Sequence, residues 1–200
     1  MIGEVRAVAG APVLVWRLAR PLLVVSSAPL GGGLGPRSWV VNATVGLDYD
    51  RPDPAGHLSE IAGSLGLGGS GVGMLTAVDV RDAVTSVDSG SSATVTTGLS
   101  DPTWAAADGA EPPRVGTINA VCFSPARLSG AALVNAVATV AEAKAQALFE
   151  AGVDGTGTCT DATAVLCPPD GAEEPYGGPR SPVGAALARA VHRSVRAAIP

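Results

Sequence analysis

The chain has 200 residues, 46% hydrophobic and 4% aromatic, with a net charge of -5, a pI near 4.9 and a mean hydropathy of +0.32. This length suits one domain, expected over residues 1–200, with a core of Ala, Val and Leu, and excludes a disordered chain. The acidic balance, the lack of any basic run and the scarcity of aromatic rings exclude a nucleic-acid interface, which needs a basic surface and stacking platforms.

The first half reads as β-rich. Pro12–Leu18 and Leu22–Ser26 are short apolar runs split at Arg20-Pro21, and Gly31–Pro36 reads as a loop. Trp39–Val45 is a further strand candidate. A helix is predicted from Pro54, with Asp53 as its N-cap and Leu58, Ile61, Ala62 and Leu65 as its apolar stripe. Strands follow at Val72–Val80, Ala83–Val87 and Ala93–Leu99, the last two joined by a hairpin at Asp88-Ser89-Gly90. Asp101–Pro113 reads as an exposed loop and Arg114–Phe123 as a strand. The clearest helix runs from the N-cap Ser129 to Ala151, with Gly152 as its stop. Leu133, Val137, Val140, Ala141 and Leu148 form its stripe, and Lys144 lies in the middle of it. A last helix spans Ser181–Ala198. Strands and helices mix without a βαβ alternation, so the predicted class is α+β: a mixed, largely antiparallel sheet with about three main helices packed on it.

Cys122, Cys159 and Cys167 are an odd number with no C-x-x-C spacing, which fits reduced thiols rather than a disulfide framework or a zinc site. Arg17 and Arg20 interrupt the N-terminal apolar segments. No signal peptide fits, and no apolar stretch is long enough to span a bilayer. The expectation is a soluble cytoplasmic protein with neither membrane nor nucleic-acid partners; a homo-oligomer is compatible with the sequence.

The run Gly155-Thr156-Gly157-Thr158-Cys159-Thr160-Asp161 carries the most chemistry. Read as a strand continuing into Ala162–Leu166, it puts three threonine hydroxyls on one face. The other face carries two glycines, Cys159 and a terminal carboxylate. A packed core has little use for such a pattern, so it points to a site. Lys144 precedes it on an apolar helix face, where a buried ammonium is costly unless paired. It is a partner for Asp161, a contact to a substrate oxygen, a base, or a snorkelling side chain with its head in water. His57 and Glu60 form an H-x-x-E pair at a helix start. That spacing suits a metal only with a third ligand, so no metal is assigned and His57 is read as an acid/base candidate or as an exposed first-turn side chain. Gly66–Gly71 matches G-x-G-x-x-G by letters, but it follows a helix and precedes a strand, the reverse of a dinucleotide site. Cys159, Thr158 and Thr160 are nucleophile candidates, although hydrogen bonding that orients a ligand is the better reading for them. Asn119 offers an amide donor to an oxyanion, or a cap to a turn.

Four segments together resemble the adenosylcobinamide amidohydrolases: Gly116–Asn119, Leu128–Ala136, Ala141–Leu148 and Gly155–Asp161. The first half is similar more loosely, through Ser26-Ser27 before a glycine run, Asn42, Asp53–His57 and Gly73–Ala77. One departure is Ala141, where that family often has threonine. The resemblance implies an amide hydrolase of cobamide salvage that removes the aminopropanol arm of adenosylcobinamide and leaves adenosylcobyric acid. Adenosylcobinamide is then the small-molecule partner, and no cofactor is implied beyond the cobalt that this corrinoid carries. For such a reaction Asp161 or Glu60 would activate water, with His57 as the alternative base. Lys144 or Asn119 would stabilise the oxyanion, and Thr158 and Thr160 would orient the amide or the corrin side chains. Asn42 and Glu142 complete the expected substrate-binding set. The rival readings are a non-catalytic corrinoid-binding protein, which the missing D-x-H-x-x-G pattern weakens, and a general amidase with a Thr or Cys nucleophile.

Overall fold

One long strand organises the fold of the computed structural model, which describes residues 1–108 and 116–199. The strand β2 (Ala11–Ser26) takes in both apolar runs expected as separate strands. Its pairing register slips between Arg17 and Leu22, where Pro21 has no N–H to give to a ladder. The first half of β2 lies between β1 (Glu4–Val8) and the end of β3 (Gly33–Thr44). The second half lies between the start of β3 and β9 (Ala162–Cys167). Gly33–Pro36, expected in a loop, therefore belongs to β3.

The remaining strands are β4 (Gly71–Thr76), β5 (Val84–Asp88), β6 (Ser91–Gly98) and β7 (Thr117–Phe123), with a short pair of β8 (Arg127–Leu128) and β10 (Glu173–Glu174). Among the described residues the main sheet has eight strands in the order β4-β3-β2-β9-β7-β6-β5, with β1 on the free side of β2. Only β3–β4 and β7–β9 in it are parallel. The α+β class with a mixed, largely antiparallel sheet is as expected. The hairpin between β5 and β6 turns at Ser89 and Gly90, both at positive φ, as a two-residue primed turn requires. Arg114, expected to open β7, lies outside the described residues.

Because β2 bends, the sheet folds over on itself. Asn42 of β3 bonds to Thr96 of β6 and to Asn119 of β7, strands that are not its neighbours in the ladder. Leu14, Trp16, Val40, Met74, Val121 and Leu166 fill the space between the two wings. Helix α1 (Pro54–Ser64) covers the outer face of the β2–β4 wing, with Leu58, Ile61 and Ala62 on Val13, Val15 and Val41. Helices α2 (Gly130–Glu150) and α3 (Pro182–Ala198) cover the other wing. All three start where expected, capped by Asp53, Ser129 and Ser181. The buried line of α2 differs from the predicted stripe. It includes Ala132, Ala136, Ala143 and Ala147, while Ala141 is exposed. Small side chains on that line let α2 approach the sheet and α3 closely. Among the described residues no helix is long and apolar enough to cross a membrane.

Candidate active site

The Gly/Thr run is not a strand. Residues 155–161 form a loop between α2 and β9 that, among the described residues, touches a strand partner only through a bridge between Gly157 and Thr103. The run has stronger partners than a ladder would give it. Thr156 N donates to Thr103 O at 2.9 Å, and Thr103 N donates to Gly157 O at 2.8 Å. A Cβ on Gly155 would lie 2.8 Å from Thr103 N, so this close approach requires glycine. The threonines then diverge. Thr156 Oγ1 accepts from Ala105 N, whereas Thr158 and Thr160 lie with their hydroxyls 2.8 and 2.7 Å from Gly116 O. Thr160 and Thr117 also share a hydroxyl–hydroxyl bond.

Asp161 is the hub of this loop. Its Oδ1 accepts from Ile118 N at 2.8 Å and lies 2.5 Å from the Thr158 hydroxyl. With one proton, that hydroxyl serves either Asp161 or Gly116 O at a given moment. Oδ2 accepts from Thr158 N at 3.1 Å and from Lys144 Nζ. The side chains of Lys144 and Asp161 are only 17% and 16% exposed. Of the open alternatives for Lys144, the structure selects pairing with Asp161. The pair borders a small cavity on the helix side of β7 and β9, shared with Ala141 and Thr163. It also packs on Gly157, where a Cβ would lie 2.4 Å from both Asp161 Oδ2 and Lys144 Nζ. Gly157→Ala is therefore expected to destabilise the fold by about 2 kcal/mol through overpacking, measurable by urea denaturation. An unchanged midpoint would mean that the pair shifts freely.

The opposite side of β7 and β9 opens into a cleft of about 460 Å³. Its walls are mostly apolar, including Pro29, Val45, Leu47, Met74 and Ala162. Its polar groups are Tyr49, Thr76, Thr117, Asn119 and Thr160. Asn119 is 1% exposed. Both of its amide protons are used, one on Asn42 Oδ1 at 2.9 Å and one on Leu75 O at 2.8 Å. These two acceptors fix the orientation of the amide, because a flip would set oxygen against oxygen. Its Oδ1 is then buried without a partner among the described residues. The expected oxyanion donor therefore has no amide proton left to offer the cleft. Asn42 stands behind it, held by its own bond to Thr96 Oγ1 at 3.0 Å.

His57 and Glu60 do not share a ligand. Glu60 forms a two-bond ion pair with Arg51, at 3.0 Å for each bond, which holds its carboxyl below the usual range. His57 Nδ1 lies 3.1 Å from the Tyr49 hydroxyl, and the two rings stack at 5.5 Å. Burial and the Arg51 charge push the His57 pKa down, while burial pushes that of Tyr49 up. Tyr49 was not singled out by the sequence. It is one of two tyrosines, eight positions ahead of His57 on an irregular segment that no helix or strand period describes. Glu142 is exposed on α2 beside Arg189, His192 and Arg193 of α3, apart from the cleft. Among the described residues no three His, Cys, Asp or Glu side chains come together as a metal site. Cys122 is fully buried, its thiol pushed up to about 12, and Cys159 is exposed on the loop.

The chain was compared with known proteins. The family model described as adenosylcobinamide amidohydrolase matches residues 2–200. A Methanosarcina mazei protein named adenosylcobinamide amidohydrolase is 32% identical over 182 residues, covering 86% of this chain and 88% of the relative. A Halobacterium salinarum protein of the same name is 45% identical over 84 residues, covering 42% of this chain and 36% of the relative. The full-length match takes in both the loop centred on Asp161 and the cleft above Asn119, and the chain belongs to the adenosylcobinamide amidohydrolase family.

Proposed function

We propose that the protein hydrolyses the amide bond linking the aminopropanol arm to adenosylcobinamide, releasing aminopropanol and adenosylcobyric acid. The observation that carries this reading is Asn119, which lines a mostly apolar cleft and whose buried Oδ1 has no partner among the described residues. An unmet buried acceptor favours a ligand that brings an N–H, and a secondary amide on an aliphatic arm supplies both the N–H and the apolar stem. The corrin ring is far larger than the cleft and would rest on its rim, where Leu47 is 68% exposed.

In this reading the arm enters the cleft and its amide N–H bonds to Asn119 Oδ1. The Thr117 hydroxyl, rotating off Thr160, is the donor available to the carbonyl oxygen as it gains charge. Asn42 fixes Asn119. Asp161 has donors on both oxygens, so we assign it, with Lys144 and Thr158, to holding the loop that presents Thr160 to the cleft. Glu60 is assigned to restraining Arg51, and Glu142 takes no part at the cleft.

The test is to incubate the protein with adenosylcobinamide, with and without chelator, and to follow both products by mass spectrometry. Equimolar aminopropanol and adenosylcobyric acid are expected. A change in the visible spectrum without release would make the protein a corrinoid binder. A trapped acyl-enzyme would make it an amidase with a Thr or Cys nucleophile.

A further inference from the structure

We propose that Tyr49 and His57 form the proton relay of the cleft, with the Tyr49 hydroxyl as the group that meets the attacking water and the leaving amine. This rests on the amide-hydrolysis reading above. Three geometric facts carry it. Tyr49 lines the cleft together with Asn119, Thr117 and Thr160. It also lines the adjoining cavity in which His57 sits. Its hydroxyl is 3.1 Å from His57 Nδ1, so the ring bridges the two spaces.

The proton balance closes. With the imidazole protonated on Nε2, the Tyr49 hydroxyl donates to Nδ1 and leaves its oxygen free to accept. As the water oxygen bonds to the amide carbon, a water proton passes to Tyr49 Oη and the Tyr49 proton passes to His57 Nδ1. When the carbon–nitrogen bond breaks, the amine nitrogen takes a proton from Tyr49, and the imidazolium returns its proton to Tyr49 Oη. The net change is amide plus water to acid plus amine, with no other reactant.

The surroundings suit each state. Arg51, Asp53 and Glu60 are the charged groups acting on the pair. Val8, Ala9 and Val13 of the β1–β2 hairpin line the same cavity as His57 and bring no titratable group. Burial and Arg51 push the imidazole pKa down, which suits a proton acceptor at neutral pH, and Glu60 opposes them and favours the transient imidazolium. Burial likewise pushes the Tyr49 pKa up.

The experiment is the pH dependence of aminopropanol release from adenosylcobinamide by the full chain and by Tyr49→Phe, His57→Gln and the double variant. In the wild type kcat/KM should fall on the acid side through a group titrating below about 6.5, the ordinary imidazole value. Tyr49→Phe keeps the ring stack and removes only the hydroxyl. It should lower kcat about 100-fold with KM nearly unchanged. His57→Gln should lose the acid limb. The double variant should be no slower than the slower single variant, because the members of a relay act as a unit. Wild-type kcat and pH profile in Tyr49→Phe would overturn the relay and leave the hydrolase reading standing. No aminopropanol release by the wild type would overturn both.

Discussion

Replacing Asp161 with alanine is expected to lower folding stability by about 3 kcal/mol and amide turnover by about 100-fold. The stability loss follows from what is stranded. Ile118 N and Thr158 N lose their acceptor, and Lys144 is left as a largely buried cation without a counter-charge. The turnover loss follows from position rather than chemistry. Asp161 directly precedes β9, and Thr160 beside it reaches into the cleft while bonding to Gly116 O. A loop released at Asp161 no longer holds Thr160 and Thr117 in register. Lys144→Met is the paired measurement. It removes the cation but leaves Asp161 its backbone and hydroxyl donors, so it should cost about half as much stability and spare most of the turnover. Urea denaturation and initial rates read both effects. Turnover lost in Lys144→Met at unchanged stability would put Lys144 on the substrate instead of in the loop.

What was legible in the sequence divides along range. The starts of α1, α2 and α3 depend on residues within one turn, and Asp53, Ser129 and Ser181 announced them. The β5–β6 turn was equally local. The single strand β2 was not, because Arg20-Pro21 looks like a break, and only pairing with β3 and β9 shows a bulge in one strand. The Gly/Thr run alternates like a strand, yet its carboxylate and hydroxyls find closer partners in Ile118, Gly116 and Lys144 than a ladder would offer. Alternation alone could not reveal this, since a strand would hold Thr158 and Asp161 on opposite faces. Pairing of Lys144 with Asp161 is one of the alternatives the sequence leaves open, because a charge on an apolar stripe needs a partner or a path to water. The cleft was invisible. Asn42 and Asn119 are 77 positions apart, and nothing in either segment tells that the sheet folds to bring them together. Tyr49 escaped because it stands on an irregular segment that no helix or strand period describes.

Asn119→Leu is expected to reduce stability by about 3 kcal/mol and to raise KM for adenosylcobinamide about 10-fold, and the two effects are separable. The stability effect belongs to the Asn119 amide protons, whose loss leaves the buried Asn42 Oδ1 and the half-buried Leu75 O without their donor. The KM effect belongs to Asn119 Oδ1, which has no protein partner to lose. The double variant Asn42→Leu/Asn119→Leu separates them. It removes one of the stranded acceptors and replaces a polar pair by an apolar one of similar shape, while the Thr96 hydroxyl, released by Asn42, keeps its own proton to donate elsewhere. Stability should therefore recover by at least about half of the single-variant loss, whereas KM should stay raised. Recovery of both would mean that the single variant raised KM only by loosening the two wings, and that the amide N–H of the arm has another acceptor. Recovery of stability alone isolates one buried oxygen as the atom that recognises an amide-bearing arm.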